Sequence, residues 1–553
     1  MIAALEAVEE QVLEARVCII GAGAAGITLA AEFDRSGFKV LLLEAGGLKA
    51  DPSLADYYQG TATAPHPDPT EYRRSMFGGT TGIWGGRCVA FDPIDLQPRE
   101  HVANSGWPIS YEELAKYYPK ALEYCDAGAF DFTVAGSVRN PAPTIGGFDG
   151  RGADGAPIVL ADRIERYSLP TNFGVRHRDK IRASQNVTAL LGARCLRLLR
   201  RPGAQQLEAA EVVDRAGRRR KVRADAFVLA TGGIEVPRLL MLSDPEGPGL
   251  GNGGDCLGRN YMCHFENTFG RIVPNGAGVV FDFERTTDRV YCRRQLRFSP
   301  DALQRYRLLN TAFRLHFPSY SDAAHGSSVM SGIYLAKSTL IPEYRSILEA
   351  SAESPASPAS AHLRNVVKGL PQLLRFSGDW LFRIQLARRK LPYTLVPNAD
   401  GTYPLEFNSE QTPDAANRVT LGDDVDRHGL RRVRIEWRVS EGDVDAACRA
   451  YLLLRETLER SRSCRLEFDE ARLRDRLGRS VPLGGHHIGT ARMAATERAG
   501  VVDENCSVFG VPNLHIASSA VFPTSGHANP TLTIVALAVR LAAHLQSRLG
   551  GKT

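Results

Sequence analysis

The chain has 553 residues, 24% of them charged and 43% hydrophobic, with a net charge of +6. Such a length exceeds one ordinary hydrophobic core, so two or more domains are expected. The mild charge excludes the dense basic clustering of a nucleic-acid binder, leaving an anionic substrate or a weak membrane contact open. Ten scattered cysteines without a C-x-x-C pair argue against a zinc ribbon or thioredoxin-type pair. With no basic leader and no run of about 18 apolar residues, they point to a cytoplasmic protein.

The first strong signal is Val17 to Ile20, a short apolar run that reads as a buried parallel strand. It enters Gly21, Gly23 and Gly26 at G-x-G-x-x-G spacing, and a helix is predicted from Ile27 to Phe33. Gly21 permits a tight turn, Gly23 lets the backbone approach a pyrophosphate, and Gly26 lets helix and strand pack closely. Phosphates would sit at the helix N-terminus, where free N–H groups favour anions. A second strand, Lys39 to Glu44, ends in an acid 23 residues after Gly21, near the spacing for a carboxylate on a ribose. The motif alone does not separate FAD from NAD.

Residues 78–86, GGTTGIWGG, place five glycines around Trp84, a loop suited to close backbone approach to a flat or charged ligand. Residues 106–118 read as a helix capped by Ser110, with Glu113 at the capping-box position. Strands return at Asn186 to Leu191 and Cys195 to Leu199. The basic run Arg218 to Arg223 reads as a solvated hairpin. A further strand ends in Ala230-Thr231-Gly232-Gly233, with Pro237 early in the next helix.

Strands are expected at Thr311 to Phe317 and Arg432 to Val439, and an exposed loop at 351–361. Leu363 to Leu391 is helical in pattern, interrupted by Pro371 and strongly basic. Such a stretch can lie on a membrane surface, meet a partner or form a solvated helix face. Near the C-terminus stand His486 and His487 in GGHHIGTARM, and His527 and Asn529 in PTSGHANPTLTI. Asn529 is expected as the N-cap of a helix from Thr531 to Leu549, with Pro530 at its first position. No carboxylate accompanies the two histidines at ligand spacing, so no metal site is expected.

Taken together, GAGAAG with Glu44, GGTTGIWGG, GWPISYEELAKYY, ATGGIEVPRLL, LGRNYMCH, HHIGT and SGHANPTLT resemble the glucose–methanol–choline (GMC) oxidoreductase family. The last of these, and the pattern at Asn417 to Leu421, lie nearest its pyranose- or sugar-oxidising branch and bacterial relatives. The resemblance covers both ends of the chain well and the middle loosely. It implies an α/β protein: a Rossmann-like, doubly wound FAD-binding domain with a discontinuous, sheet-containing α+β substrate domain. Residues 1–262 would be mainly FAD-binding, with lid or insert segments at about 60–175; 263–480 mainly substrate-binding; and 481–553 a return to the first domain.

The resemblance also implies site residues. FAD would meet Gly21, Gly23, Ala24, Ala25, Gly26, Glu44 and Ala45, then Gly79, Thr80, Trp84, Gly85 and Gly86. It would also meet Cys195, Ala230, Thr231, Gly232, Ser518, Ser519, Asn529, Pro530 and Thr531. The family usually has Asp at position 518 followed by a small residue, so one acidic contact is missing. Some relatives attach FAD through a histidine near position 83. Ile83 is no nucleophile, so FAD is expected to be non-covalent. His486 matches the family's catalytic base and Asn529 its partner, with His487 and His527 as weaker candidates for substrate contact.

The implied reaction is FAD-dependent oxidation of an alcohol to a carbonyl by hydride transfer to flavin N5, on a small carbohydrate-like molecule such as a sugar, glycoside, cyclitol or aminosugar. A neutral imidazole suits removal of the hydroxyl proton. The electron acceptor, oxygen or another, is not set by sequence. Alternatives are oxidation of a non-sugar alcohol, an FAD-containing lyase of the same fold, and a non-catalytic flavin binder. A pyridine-nucleotide disulphide reductase would need a second glycine motif and a cysteine pair, and neither is found.

Overall fold

The computed structural model describes residues 1–550 other than Arg35, Asn140, Pro202, 340–355, Thr394, Pro397, Ala399 and Leu483. Two eight-stranded sheets organise it. In the first, the apolar run at Val17 is the buried half of a longer strand, Val12–Ile20. This strand pairs in parallel with Val40–Glu44 on one side and Arg219–Leu229 on the other. Val187–Leu191 and Ile2–Ala4 extend the parallel sheet beyond Val40–Glu44. Leu514–Ile516 comes back from the far end of the chain to pair in parallel with Arg219–Leu229. Helices Ala24–Phe33 and Thr531–Arg548 cover this sheet and pack on each other. Strands buried on both faces carry continuous apolar runs, which is why this half reads clearly in sequence.

The second sheet is antiparallel and runs in the order Cys464–Glu467, Phe265–Pro274, Tyr403–Ser409, Thr311–Leu315, Tyr291–Phe298, Val159–Tyr167, Arg87–Cys88. Its side chains alternate. Phe265, Phe313 and Phe407 pack into a core with Tyr451 and Leu454 of the helix Glu441–Ser461. Their sequence neighbours Glu266, Arg314 and Glu406 project from the opposite face. Two strands of this sheet, Arg87–Cys88 and Val159–Tyr167, come from the stretch read as lid or insert, so the second sheet begins well before residue 263.

Residues 351–355 of the expected loop lie outside the described residues, and a helix begins at Ala359. The helix expected over 106–118 is two short ones, Tyr111–Ala115 and Tyr118–Tyr124. Pro119 lacks the N–H that would continue the first turn, so a new helix starts there. Ser110 caps the first helix, accepting from the Glu113 N–H at 3.2 Å. The Glu113 carboxylate leaves the capping box to take the Arg540 Nε at 2.7 Å. Among the described residues no helix is long and apolar enough to cross a membrane.

Candidate active site

One cavity of about 1010 Å³ lies along the seam between the two sheets. Its first half is built by the glycine turn. Gly21 has φ of 102°, and a Cβ there would lie 2.6 Å from the Ala230 carbonyl oxygen. A Cβ on Gly26 would stand 1.9 Å from the Gly21 carbonyl oxygen, so the helix closes on the strand only because that position is glycine. Gly23 faces open space at the N-terminus of Ala24–Phe33, which exposes free N–H groups to the cavity. Glu44 accepts from the Ala22 N–H at 3.0 Å and the Gly46 N–H at 2.8 Å. Burial raises its carboxyl to about 7 despite those donors. Thr231 Oγ1 is buried without a hydrogen-bond partner and lines the same cavity. Helix terminus, carboxylate and orphan hydroxyl together fit a dinucleotide.

The other expected cofactor positions also line this cavity: Ala24, Ala25, Ala45, Gly79, Thr80, Trp84, Gly85, Gly86, Cys195, Ala230, Gly232, Ser518, Ser519, Asn529, Pro530 and Thr531. Gly26 does not line it and acts through packing alone. Trp84 is pinned by its Nε1–H to the Thr171 carbonyl at 2.9 Å. The hydroxyls at 518 and 519, where the family's usual Asp is absent, are taken by protein backbone groups. Ser518 Oγ accepts from the Ala520 N–H at 3.0 Å, and Ser519 Oγ donates to the His487 carbonyl at 2.6 Å.

The second half centres on His486. Its segment has no regular structure but is tied down twice. Ile488 and Met262 exchange backbone hydrogen bonds as an antiparallel bridge, at 2.9 and 3.0 Å, and Thr490 Oγ1 donates to the Gly233 carbonyl at 2.5 Å. Two residues beyond each bridge member, in opposite directions along antiparallel backbones, His264 and His486 come face to face. Their Nδ1 atoms are 2.9 Å apart. His264 Nε2 lies 3.4 Å from the Ser525 carbonyl, which only accepts, so Nε2 carries the hydrogen and the neutral ring has a bare Nδ1. His486 therefore donates from Nδ1, and its Nε2 lone pair is left facing Asn529 Nδ2 at 2.9 Å. Burial lowers His264 to about 4 and, with His264 beside it, pushes His486 well below the ordinary imidazole value, so both rings are neutral at pH 7.

Asn529 is not the helix cap. Thr531–Arg548 starts behind Pro530 without a side-chain cap, because the Asn529 amide is taken by His486. His487 lines the cavity, yet its ring lies against His66 and Tyr261, at 6.4 and 6.1 Å between centroids. His527, expected as a weak substrate contact, is not among the lining residues. It follows Gly526, at φ of 52°, and is buried with Nε2 3.8 Å from Asp92 Oδ2.

Sequence reading gave no role to His264, although LGRNYMCH ends on it, nor to the charged face of the second sheet. Arg314 reaches Glu406 at 2.9 Å and Glu165 at 3.1 Å, and Arg87 approaches Glu165 at 3.5 Å. Glu266, beside this network, lines the cavity, and burial raises it to about 7. Its carboxylate lies within 4.8 Å of ring nitrogens of His264 and His486. A carboxylate does therefore accompany a histidine pair, which removes the ground on which sequence discounted a metal. An ion shared by two imidazoles would hold their nitrogens roughly 3.3 Å apart, given tetrahedral bonds of about 2.0 Å. The 2.9 Å contact is that of a hydrogen-bonded pair rather than a ligand set.

Residues 413–538 match the family model described as GMC oxidoreductase, and residues 15–279 match that of the pyridine nucleotide-disulphide oxidoreductases. All ten cysteines are free, with no disulphide among them. The chain is 22% identical to 2-methyl-1,2-propanediol dehydrogenase of Mycolicibacterium austroafricanum, over 96% of this chain and 95% of that one. It is 25% identical to paromamine 6'-oxidase of Streptomyces fradiae, over 95% and 90%. A crystal structure of formate oxidase shares the fold, with a TM-score of 0.54 at 16% identity, covering 98% of this chain and 99% of that one.

Proposed function

We propose that the chain, whose residues 413–538 match the GMC oxidoreductase model, uses FAD to oxidise a hydroxyl-bearing carbon of a sugar, glycoside, cyclitol or aminosugar, with His486 as general base. The observation that carries this reading is the convergence of His486 Nε2 and Asn529 Nδ2, 2.9 Å apart, on one cavity wall. A substrate hydroxyl inserted there would give its proton to Nε2 and accept from the Asn529 amide. FAD, when bound, supplies the hydride acceptor. The Gly21–Gly26 turn, Glu44 and Thr231 would hold it, without a covalent bond.

The chain's own groups support the proton step. His264 keeps the Nδ1–H on His486, so the proton-accepting lone pair is always the one that faces the cavity. Once His486 is charged, Glu266 offsets the charge from within 4.8 Å. The carbohydrate class is supported by the polar wall of Glu266, Glu406, His316 and Tyr393, and by the relative named for oxidising paromamine. The similarly complete match to a propanediol dehydrogenase favours a second reading, a small aliphatic diol.

The test is anaerobic flavin bleaching with sugars, aminosugars, polyols and small diols offered singly. His486→Ala should slow bleaching by the productive substrate about 100-fold or more. Undiminished bleaching removes His486 from the role. Bound FAD that no alcohol bleaches turns the assignment toward a lyase of the same fold.

A further inference from the structure

Two consecutive helices, Ala359–Lys368 and Leu370–Trp380, pack on the helix Ser328–Leu335. Their inner face is fully used. His362 is buried, bonds Ser331 Oγ at 3.1 Å and stacks on Tyr334, while Asn365 Nδ2 donates to the Ala323 carbonyl at 2.8 Å. Leu373 lies against Gly332.

The outer face is apolar as well. Leu363, Val367, Leu370 and Leu374 recur at helical spacing and are 56, 69, 49 and 65% exposed. Phe382 and Leu386 continue the patch at 67 and 66%. Scattered exposed apolar residues need no explanation, but a contiguous set marks an interaction surface.

The charge beside this stripe has one sign. Residues 359–390 contain Arg364, Lys368, Arg375, Arg383, Arg388, Arg389 and Lys390 against a single acid, Asp379. Arg364, Lys368, Arg375 and Arg383 are exposed, and no described carboxylate pairs with them. A second copy meeting this face symmetrically would set seven cations against seven. Long basic side chains around an apolar stripe match phosphate headgroups over acyl chains.

The same helices border the cavity. Val329, Met330 and Ile333 line it from the first helix, and Phe376 and Trp380 from the third. Trp380 is also 42% exposed, so it stands at the mouth. We propose that this face docks the protein on an anionic lipid bilayer, which brings the cavity mouth beside the headgroups. Reactants that partition into the membrane would then reach the cavity from the lipid side.

The experiment is co-sedimentation of the FAD-loaded protein with vesicles of phosphatidylglycerol and phosphatidylcholine mixed, and of phosphatidylcholine alone. Binding to the mixed vesicles only, weakened by salt, is expected. Arg375→Ser and Arg383→Ser should each lower partitioning about fivefold. Leu374→Glu with Phe382→Glu should abolish it. These side chains do not line the cavity, so FAD content and oxidation in solution should stay at the parental level and report an intact fold. No binding to mixed vesicles at low salt overturns the proposal, as does binding that both pairs of substitutions leave unchanged. If Leu374→Glu instead converts a vesicle-free oligomer to monomer, a second copy covers the face and the bilayer assignment fails.

Discussion

Replacing Glu266 by Gln should stabilise the protein at alkaline pH and leave it unchanged at acid pH. Glu266 is half-buried and accepts from Asn408 Nδ2 at 3.0 Å, a bond that a glutamine oxygen can also accept. Burial raises its carboxyl from 4.5 to about 7, against the pull of Arg87 and Arg314. The folded state thus holds the proton more tightly than the unfolded chain does. The stability this contributes is fully present below the unfolded value and is lost as pH rises through about 7. A gap of about 2.5 pH units is worth about 3 kcal/mol, as an upper bound, since the cavity side of the carboxylate stays open to solvent. Glutamine keeps the shape of the protonated acid and cannot ionise. Melting curves of flavin-free parent and variant, taken at about pH 4 and about pH 8, give the test. The variant should melt roughly 2–3 °C higher at the alkaline pH and together with the parent at the acid one. An equal gain at both would make the effect one of packing. A loss at alkaline pH would mean that the arginines hold Glu266 ionised, and the argument would be wrong.

His264→Phe removes the acceptor that fixes the His486 tautomer, so flavin reduction should fall about 10-fold or more with FAD content intact, while His264→Gln, which keeps an acceptor, should lose less. Parental reduction rates in the Phe variant would separate His264 from the base. Gly26→Ala puts a Cβ 1.9 Å from the Gly21 carbonyl oxygen. Backbone must move, and at about 1–3 kcal/mol for such overpacking FAD should bind roughly 10- to 100-fold more weakly, read as flavin retained through gel filtration. Unaltered retention would show that the turn tolerates the shift. Acid precipitation should leave all the flavin in the supernatant, because Ile83 offers no nucleophile; flavin in the pellet would mean a covalent link elsewhere.

The nucleotide half was legible because its determinants are local. Gly21 and Gly26 touch within one turn, and the strands around them are buried on both faces, so each reads as an unbroken apolar run. His486 and Asn529 became legible through the resemblance to a family rather than through spacing. Local preference also misled. Asn before Pro is a good helix-cap signature, yet the tertiary contact with His486 took the amide and left the helix uncapped. His264 could not be read at all. Its meeting with His486 depends on the bridge between Met262 and Ile488, and two irregular segments over two hundred residues apart carry no register in their sequence. The alternation of Glu266, Arg314 and Glu406 with Phe265, Phe313 and Phe407 was visible in principle. A charged residue between apolar ones in a strand ordinarily faces solvent, and only the tertiary structure turns that face toward a cavity.

The topology explains why these residues meet. The chain passes from the first sheet to the second between Glu44 and Arg87, and again between Leu229 and Phe265; it returns between Tyr167 and Val187, and again between Glu467 and Leu514. The first outward passage carries the Gly79–Gly86 loop, the second outward passage Thr231 and His264, and the last return His486. A segment that leaves one sheet for another must run along the seam between them, with its backbone held by neither ladder. The side chains there are positioned by two rigid bodies but are not needed for the interior of either. The residues proposed as cofactor contact, base and tautomer-setting imidazole therefore gather at the crossings, as binding sites do between domains. Inserting a residue within 480–485 should then move His486 off the Met262–Ile488 register and lower substrate oxidation. The parallel strands that hold the nucleotide half would be untouched, so FAD content should persist. Loss of FAD together with activity would mean that the two halves of the site are not independently positioned.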